Sequence, residues 1–377
     1  MSINISGYSA KNVTIGVLGS HSALEISYGA RQEGLRNLVV SQKGREKTYA
    51  TTYAARSVNG RDFGCVDEVL VLDTFKDILL PQIQQQMLDR HVIFVPHRSF
   101  EVYVCQDNYD VLFNQFPTPM FGNRAILAAE ERNADRNQYF LLEKAGIPYP
   151  QQFTQADQID RLVIVKVPES ERKFERGFFF AHTPDDFRHK VEGMLDTGKL
   201  TEKELDEAVI EEFILGPTVN LNFFYSPLDK RLELLGTDTR RQTNLDGILR
   251  LPASQQMEIA RNGMKPKFEE AGHIACTVLE SMVEQIYELG ERFVAAAAEE
   301  YAPGIIGPFA LQCAIKSGPP KKELIVYDVS LRVPGSPGIK ATPYSEYLWG
   351  EPVSIGRRIA MEVKEAMRRD QLGMVVT

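Results

Sequence analysis

Little in this chain belongs to the chemistry of thiols, transition metals or membranes. Its 377 residues include four cysteines, Cys65, Cys105, Cys276 and Cys313, far apart and without a CxxC pair. That excludes a zinc ribbon or dithiol redox motif and leaves reduced, mostly buried thiols. His91, His182, His189 and His273 share no ligand spacing with one another or with carboxylates, so no transition-metal site is expected. No apolar run reaches the ~18 residues that a membrane span needs, and the first eleven residues lack a charged-then-apolar leader pattern. A cytoplasmic protein with no membrane partner is expected. A cationic surplus is missing too: 43 Lys+Arg against 51 Asp+Glu give −8, the wrong sign for a general nucleic-acid binder. Repeats and low-complexity tracts are absent. What is present, 43% hydrophobic and 25% charged residues, is ordinary globular composition with length for two or three domains.

Along the first third, short apolar runs alternate with helical periodicity. Residues 13–18 (VTIGVL) run into the small polar turn Gly19-Ser20-His21-Ser22, after which Ala23, Leu24, Ile26 and Ala30 recur at helical spacing. Residues 37–40 (NLVV), 68–72 (EVLVL) and 91–95 (HVIFV) read as further buried strands, with a helix over 78–88. Strands separated by helices imply parallel pairing and a Rossmann-like sheet over roughly the first 120 residues. A helical region follows and ends at Gly146-Ile147-Pro148-Tyr149-Pro150, which reads as a boundary. Residues 151–215 then form a small strand-rich segment containing LVIVKV (162–167) and VIEEF (209–213). Two later strand pairs, 220–225 with 231–236 and 308–314 with 324–329, flank a long amphipathic helix ending at Glu300, and a helix over 354–369 closes the chain. The aromatic group Tyr344, Tyr347 and Trp349 reads as core or subunit interface, and a homo-oligomer is expected.

Ligands of such sheets lie beyond the carboxyl ends of the strands. Two donor-rich loops stand there, Ser20-His21-Ser22 and Pro96-His97-Arg98-Ser99. The first opens a helix, so its N–H groups could hold a phosphate or carboxylate. Capping of the helix by Ser20 or Ser22 is the simpler reading of that loop alone. Lys166 is the misfit of LVIVKV: it either reaches out of an edge strand or points at an anion in a cleft. Gln312 and Asp328 fall on neighbouring strands in apolar surroundings, and carbonyl plus carboxylate oxygens suit magnesium that borrows its remaining ligands from phosphates.

The order of these features is similar to that of the ATP-grasp ligases. LGSHSALEI, VPHRSF, PMFGNR, LLEKAGIPYP, IEEFILGP, FFYSPL, LELLG, LPASQQ, APGIIGPF and GRRIAMEV together resemble the archaeal PurP family of FAICAR synthetases, ligases that formylate AICAR with ATP and formate. The resemblance runs from about residue 14 to the last helix. It implies a Rossmann-like pre-ATP-grasp domain over 1–122 and an ATP-grasp domain of two α+β subdomains over 123–377, the lid near 151–215. It implies that His21, Ser99 and Asn262 contact AICAR and that Lys166 lies over the ATP phosphates as the catalytic cation. It further implies that Glu211, Glu212 and Phe213 form the adenine hinge, that Glu233 contacts the nucleotide, and that Gln312 and Asp328 bind Mg2+ or Mn2+. Two segments depart from the family pattern: residues 168–177 are charged where the family has a glycine-rich lid, and Asp328 with the turn after Arg332 replaces a glutamate and an asparagine-bearing turn. Those departures keep two other readings open, a nucleotide-binding relative without turnover and a ligase for another carboxylate or amine.

Overall fold

The computed structural model describes residues 3–106, 108–131, 134–167, 178–264, 267 and 269–377. Four parallel strands, β1 (Thr14–Leu18), β2 (Arg36–Gln42), β3 (Glu68–Leu72) and β4 (Val92–Phe94), stand in the order β3-β2-β1-β4. β1 is buried along its whole length, which is why it reads as an unbroken apolar run rather than an alternating one. Helices α1 (Ala23–Gln32) and α2 (Pro81–Asp89) follow β1 and precede β4, as the periodicity predicts. After β4 the chain passes through Met120 to the helix α3 (Gln138–Lys144), capped by Asn137.

A second sheet is antiparallel: β5 (Gln152–Phe153), β6 (Val163–Lys166), β7 (Phe178–Ala181) and β8 (Val209–Glu212) stand in the order β5-β8-β6-β7. Helix α4 (Pro184–Asp196), begun by the Thr183 hydroxyl accepting from Asp186 N at 3.2 Å, packs Phe187 and Val191 into this sheet's own small core with Val163 and Val165. The charged segment 168–177 lies outside the described residues.

The third sheet is antiparallel too, with β9 (Thr218–Ser226), β10 (Arg231–Gln242), β11 (Glu270–Ala275), β12 (Gly307–Lys316) and β13 (Glu323–Ser330) in the order β11-β10-β9-β12-β13. Its two faces differ because side chains alternate. Val219, Leu221 and Phe223 meet the apolar stripe Ile286, Leu289 and Phe293 of α5 (Val283–Glu300). Asn220, Asn222 and, further along, Phe224 turn to the opposite face, where Gln312 and Asp238 join them. The edge strand β11 was not expected, since EAGHIA is short, half exposed and carries no apolar run.

The chain's end returns to its beginning. Helix α6 (Ile355–Arg368) crosses α1 at Gly29 and Gly356, so closely that a Cβ on Gly29 would stand 2.1 Å from Arg357 N. Val376 then pairs with Phe121. The helix that sequence reasoning assigns to the second unit therefore shares its core with the first sheet.

Candidate active site

The loops after β1 and β4 meet. Ser99 Oγ donates to Ser20 Oγ at 3.0 Å, and the rings of His21 and His97 stack with centroids 5.4 Å apart. His97 Nε2 donates to Leu18 O at 2.9 Å, which leaves Nδ1 to accept from Ser99 N at 3.2 Å. Burial, the neighbouring imidazole and Arg332 hold His21 down near a pKa of about 3, and burial takes His97 down to about 4. Both rings are thus neutral at physiological pH. His21 sits at φ 46°, a left-handed backbone rare outside glycine, as in other residues forced into place at functional loops. Ser22 stands directly before α1, but its hydroxyl contacts His21 Nδ1 at 2.8 Å and Pro334 O at 3.3 Å and caps nothing. The capping reading of this serine is thereby replaced by a tie between the first loop and the turn that follows β13.

That turn closes over the loops. Val333 bridges His97, and Gly335 lies against His21 so tightly that a Cβ there would meet Nε2 at 2.6 Å. Arg332 is held by two carboxylates, with Nε donating to Glu101 Oε2 at 3.2 Å and Nη2 3.1 Å from Glu130 Oε2.

From His21 a polar row runs across the third sheet. Ser336 Oγ lies 3.3 Å from His273 Nδ1. His273 stands between Asp238 and Glu270, one ring nitrogen to each carboxylate. Burial lowers the affinity of this imidazole for its proton, but the two carboxylates outweigh burial and raise its pKa to about 9, so it is an imidazolium at neutral pH. Asn220 and Asn222 donate to the two oxygens of Asp238 at 2.8 and 2.7 Å. Next in the row, Arg240 Nη2 donates to Gln312 Oε1 and lies 3.9 Å from Asp328 Oδ2. Gln312 and Asp328 are register partners across β12 and β13. At the far end Lys166 Nζ donates to Tyr327 O at 3.4 Å, one residue from Asp328, and pairs with Glu211. The Tyr139 hydroxyl donates to the other Glu211 oxygen at 2.6 Å.

The structure therefore brings His21 and Ser99 together at one end of the row and Lys166, Glu211, Gln312 and Asp328 at the other. Glu212 and Phe213 follow Glu211 at the end of β8. Their amides are spent on Gln151 O (2.8 Å) and Leu162 O (2.9 Å), so a ligand reading this hinge through N–H donors must use residues after Phe213. Two expected residues stand apart. Glu233 is fully buried at the other end of the third sheet. Its oxygens take Arg358 Nε and Nη2 at 2.8 and 3.0 Å and Trp349 Nε1 at 3.2 Å, a structural ion pair with no face left for a nucleotide. Asn262 is an exposed residue at the end of the helix Ala253–Arg261. Sequence reasoning missed His273, Asp238 and Arg240. The spacing Glu270-x-x-His273 was the available signal, lost because strand β11 went unrecognised.

Among the described residues no group of three or more His, Cys, Asp or Glu side chains could hold a metal ion by itself. One carboxylate and one amide oxygen nevertheless suit a hard cation such as magnesium that completes its shell with phosphate oxygens and water. Among the same residues no helix is long and apolar enough to cross a membrane.

Comparison with known proteins gives this row its context. Two family models match, one described as a protein of unknown function (DUF1246) over residues 15–153 and one as a domain of unknown function (DUF1297) over residues 186–377. A curated 5-formaminoimidazole-4-carboxamide-1-(beta)-D-ribofuranosyl 5'-monophosphate synthetase of Methanopyrus kandleri is 38% identical over 99% of this chain and 97% of its own length. The crystal structure of the IMP biosynthesis protein PurP from Thermococcus kodakaraensis superposes with a TM-score of 0.69 at 29% identity, covering 96% of this chain and all of the other. The biotin carboxylase domain of Hydrogenobacter thermophilus 2-oxoglutarate carboxylase, at 12% identity and TM-score 0.60 over 92% of this chain and 69% of its own, shares the fold. With the polar row joining its three sheets and full-length identity at this level, the chain belongs to the PurP family of 5-formaminoimidazole-4-carboxamide ribonucleotide synthetases, ligases of the ATP-grasp fold.

Proposed function

We propose that this protein converts AICAR to FAICAR in the cytoplasm, using ATP and formate and releasing ADP and phosphate. The observation that carries the reading is Lys166 Nζ on Tyr327 O at 3.4 Å: a cation from the second sheet reaches the oxygen donors of the third beside Asp328. A triphosphate lying there meets an ammonium and a carboxylate–amide pair at once. Gln312 and Asp328 would hold a magnesium ion, which neutralises phosphate charge when bound. The family relatives named above and the MgADP complexed with the Hydrogenobacter domain support this assignment.

In this scheme formate takes the γ-phosphoryl group of ATP, and the weakly nucleophilic amine of AICAR attacks the resulting formyl phosphate. No protein nucleophile is required, so the chain's work is to align the reactants and exclude water. Ser20, Ser99 and the neutral His21 supply donors for the ribonucleotide phosphate, while Glu211 and Tyr139 hold Lys166 extended. His273 stands in the polar row between the loop of His21 and the Gln312–Asp328 pair. The test is ADP release with ATP, magnesium, formate and AICAR. Release that depends on both formate and AICAR, and that falls at least about 100-fold in Lys166→Met, agrees with the loss of one transition-state charge contact. No ADP from the complete mixture refutes the assignment.

A further inference from the structure

The position between the two oxygen donors already holds a cation, and it belongs to the chain itself. Arg240 Nη2 donates to Gln312 Oε1 and lies 3.9 Å from Asp328 Oδ2. Its Nε stands 3.3 Å from Glu270 Oε2 but is buried without a hydrogen bond, so the side chain is held by its outer end. Arg240 is anchored on β10 opposite His273, and its backbone is fixed by pairing. Rotation of the side chain would release its contacts with Gln312 and Asp328.

A guanidinium and a divalent cation compete for this pair of oxygens: two positive charges a few ångströms apart repel, and the Gln312 Oε1 lone pair that takes Arg240 Nη2 is not open to the ion. A free divalent ion must therefore break the contacts of Arg240 and then tolerate a positive charge a few ångströms away. An ion arriving on a triphosphate brings its own remedy, because phosphate oxygens accept bidentate contacts from a guanidinium as well as a carboxylate does. Glu270 stands on the Nε side to receive the rotated head.

We propose that Arg240 is a specificity-determining residue that closes the Gln312–Asp328 pair to free divalent cations and opens it to a cation delivered on a nucleotide. The inference rests on the nucleotide reading of the site given above. Manganese binding to the full-length protein without nucleotide, followed by electron paramagnetic resonance and calorimetry, tests it. Arg240→Met is expected to bind Mn2+ at least 10-fold more tightly than the unaltered protein, with the gain lost when Asp328→Asn is added. Arg240→Lys, which keeps the charge, is expected to stay as weak as the unaltered protein, separating charge exclusion from a packing effect. In parallel Arg240→Met should bind MgATP more weakly. Equal Mn2+ affinity in the unaltered, methionine and lysine proteins overturns the proposal, and Arg240→Gln serves the same comparison if the methionine protein does not fold. Failure of MgATP to bind the unaltered protein would instead refute the nucleotide reading, while the Mn2+ series would still decide whether Arg240 blocks the pair.

Discussion

Arg332→Met removes the cation that ties three parts of the chain together. The side chains of Arg332, Glu101 and Glu130 are 9%, 1% and 6% exposed, so two carboxylates lose their shared partner in a place water hardly reaches. Arg98, 3.5 Å from Glu101 and partly exposed, replaces little of it. Removing one member of a buried ion pair costs about 3–5 kcal/mol when the orphaned charge must stay charged. The cost has a pH dependence of known sign. Burial raises the pKa of both Glu101 and Glu130 above the ordinary carboxylate value, and Arg332 pulls them back. Without Arg332 they rise further, so the native state binds more protons than the unfolded chain over a wider range, and stability falls more steeply with pH. At pH 5 the carboxyls neutralise, and the loss shrinks to the about 1–3 kcal/mol of unmet buried polar groups. Near pH 8, where Glu130 titrates with Arg332 in place, the deficit climbs from that value toward the larger figure. Urea denaturation of both proteins at pH 5, 6.5 and 8 measures this, and adding Glu130→Gln should recover much of the loss at pH 8. A deficit below about 1 kcal/mol, or one that does not change between pH 5 and pH 8, refutes the reasoning.

Two further outcomes follow from the same row. Gly335→Ala places a Cβ 2.6 Å from His21 Nε2, so the imidazole must swing off its stack on His97. The KM for the ribonucleotide should rise about 10-fold, the loss of roughly one hydrogen bond, with the KM for ATP little changed; an unchanged ribonucleotide KM removes His21 from the substrate loop. His273→Gln discards an imidazolium whose folded pKa of about 9 lies above the ordinary 6.5. The stability that the proton confers is complete below pH 6.5 and lost as pH rises through 9. The thermal-midpoint gap between the two proteins should therefore narrow from pH 6 to pH 9.5, and a gap that widens would mean that His273 is neutral.

The first sheet was legible because both its faces are covered: continuous apolar runs mark buried parallel strands, and their carboxyl ends locate the loops of His21 and Ser99 without further information. Lys166 was legible as the single misfit in such a run. Carboxylates were harder. Glu211 and Glu233 both read as acidic residues in apolar strands, and what separates them is the partner each meets in space. For Glu233 that partner is Arg358, 125 positions away on α6. His273 stayed hidden for another reason: an edge strand with one side in solvent needs no apolar run, so β11 carries too weak a pattern to announce itself.

The hardest feature to read was the one that aims the row. Asn222 faces Gly236, but Phe223 faces Leu234, so Leu235 is an extra residue in β10. Strict alternation would send Glu233 and Asp238, five positions apart, to opposite faces of the sheet. The bulge moves Asp238 and Arg240 onto the face that already carries Glu233, Asn220 and Asn222. Without it both charges would enter the apolar layer under α5, where nothing could satisfy them. The trace of this bulge is the doubled leucine in LELLGTD, since Leu234 packs into the core beneath α5 and Leu235 into the core shared with the first sheet. Two adjacent apolar residues in an otherwise alternating strand thus mark where the sheet changes from holding the fold together to gathering charge on one face.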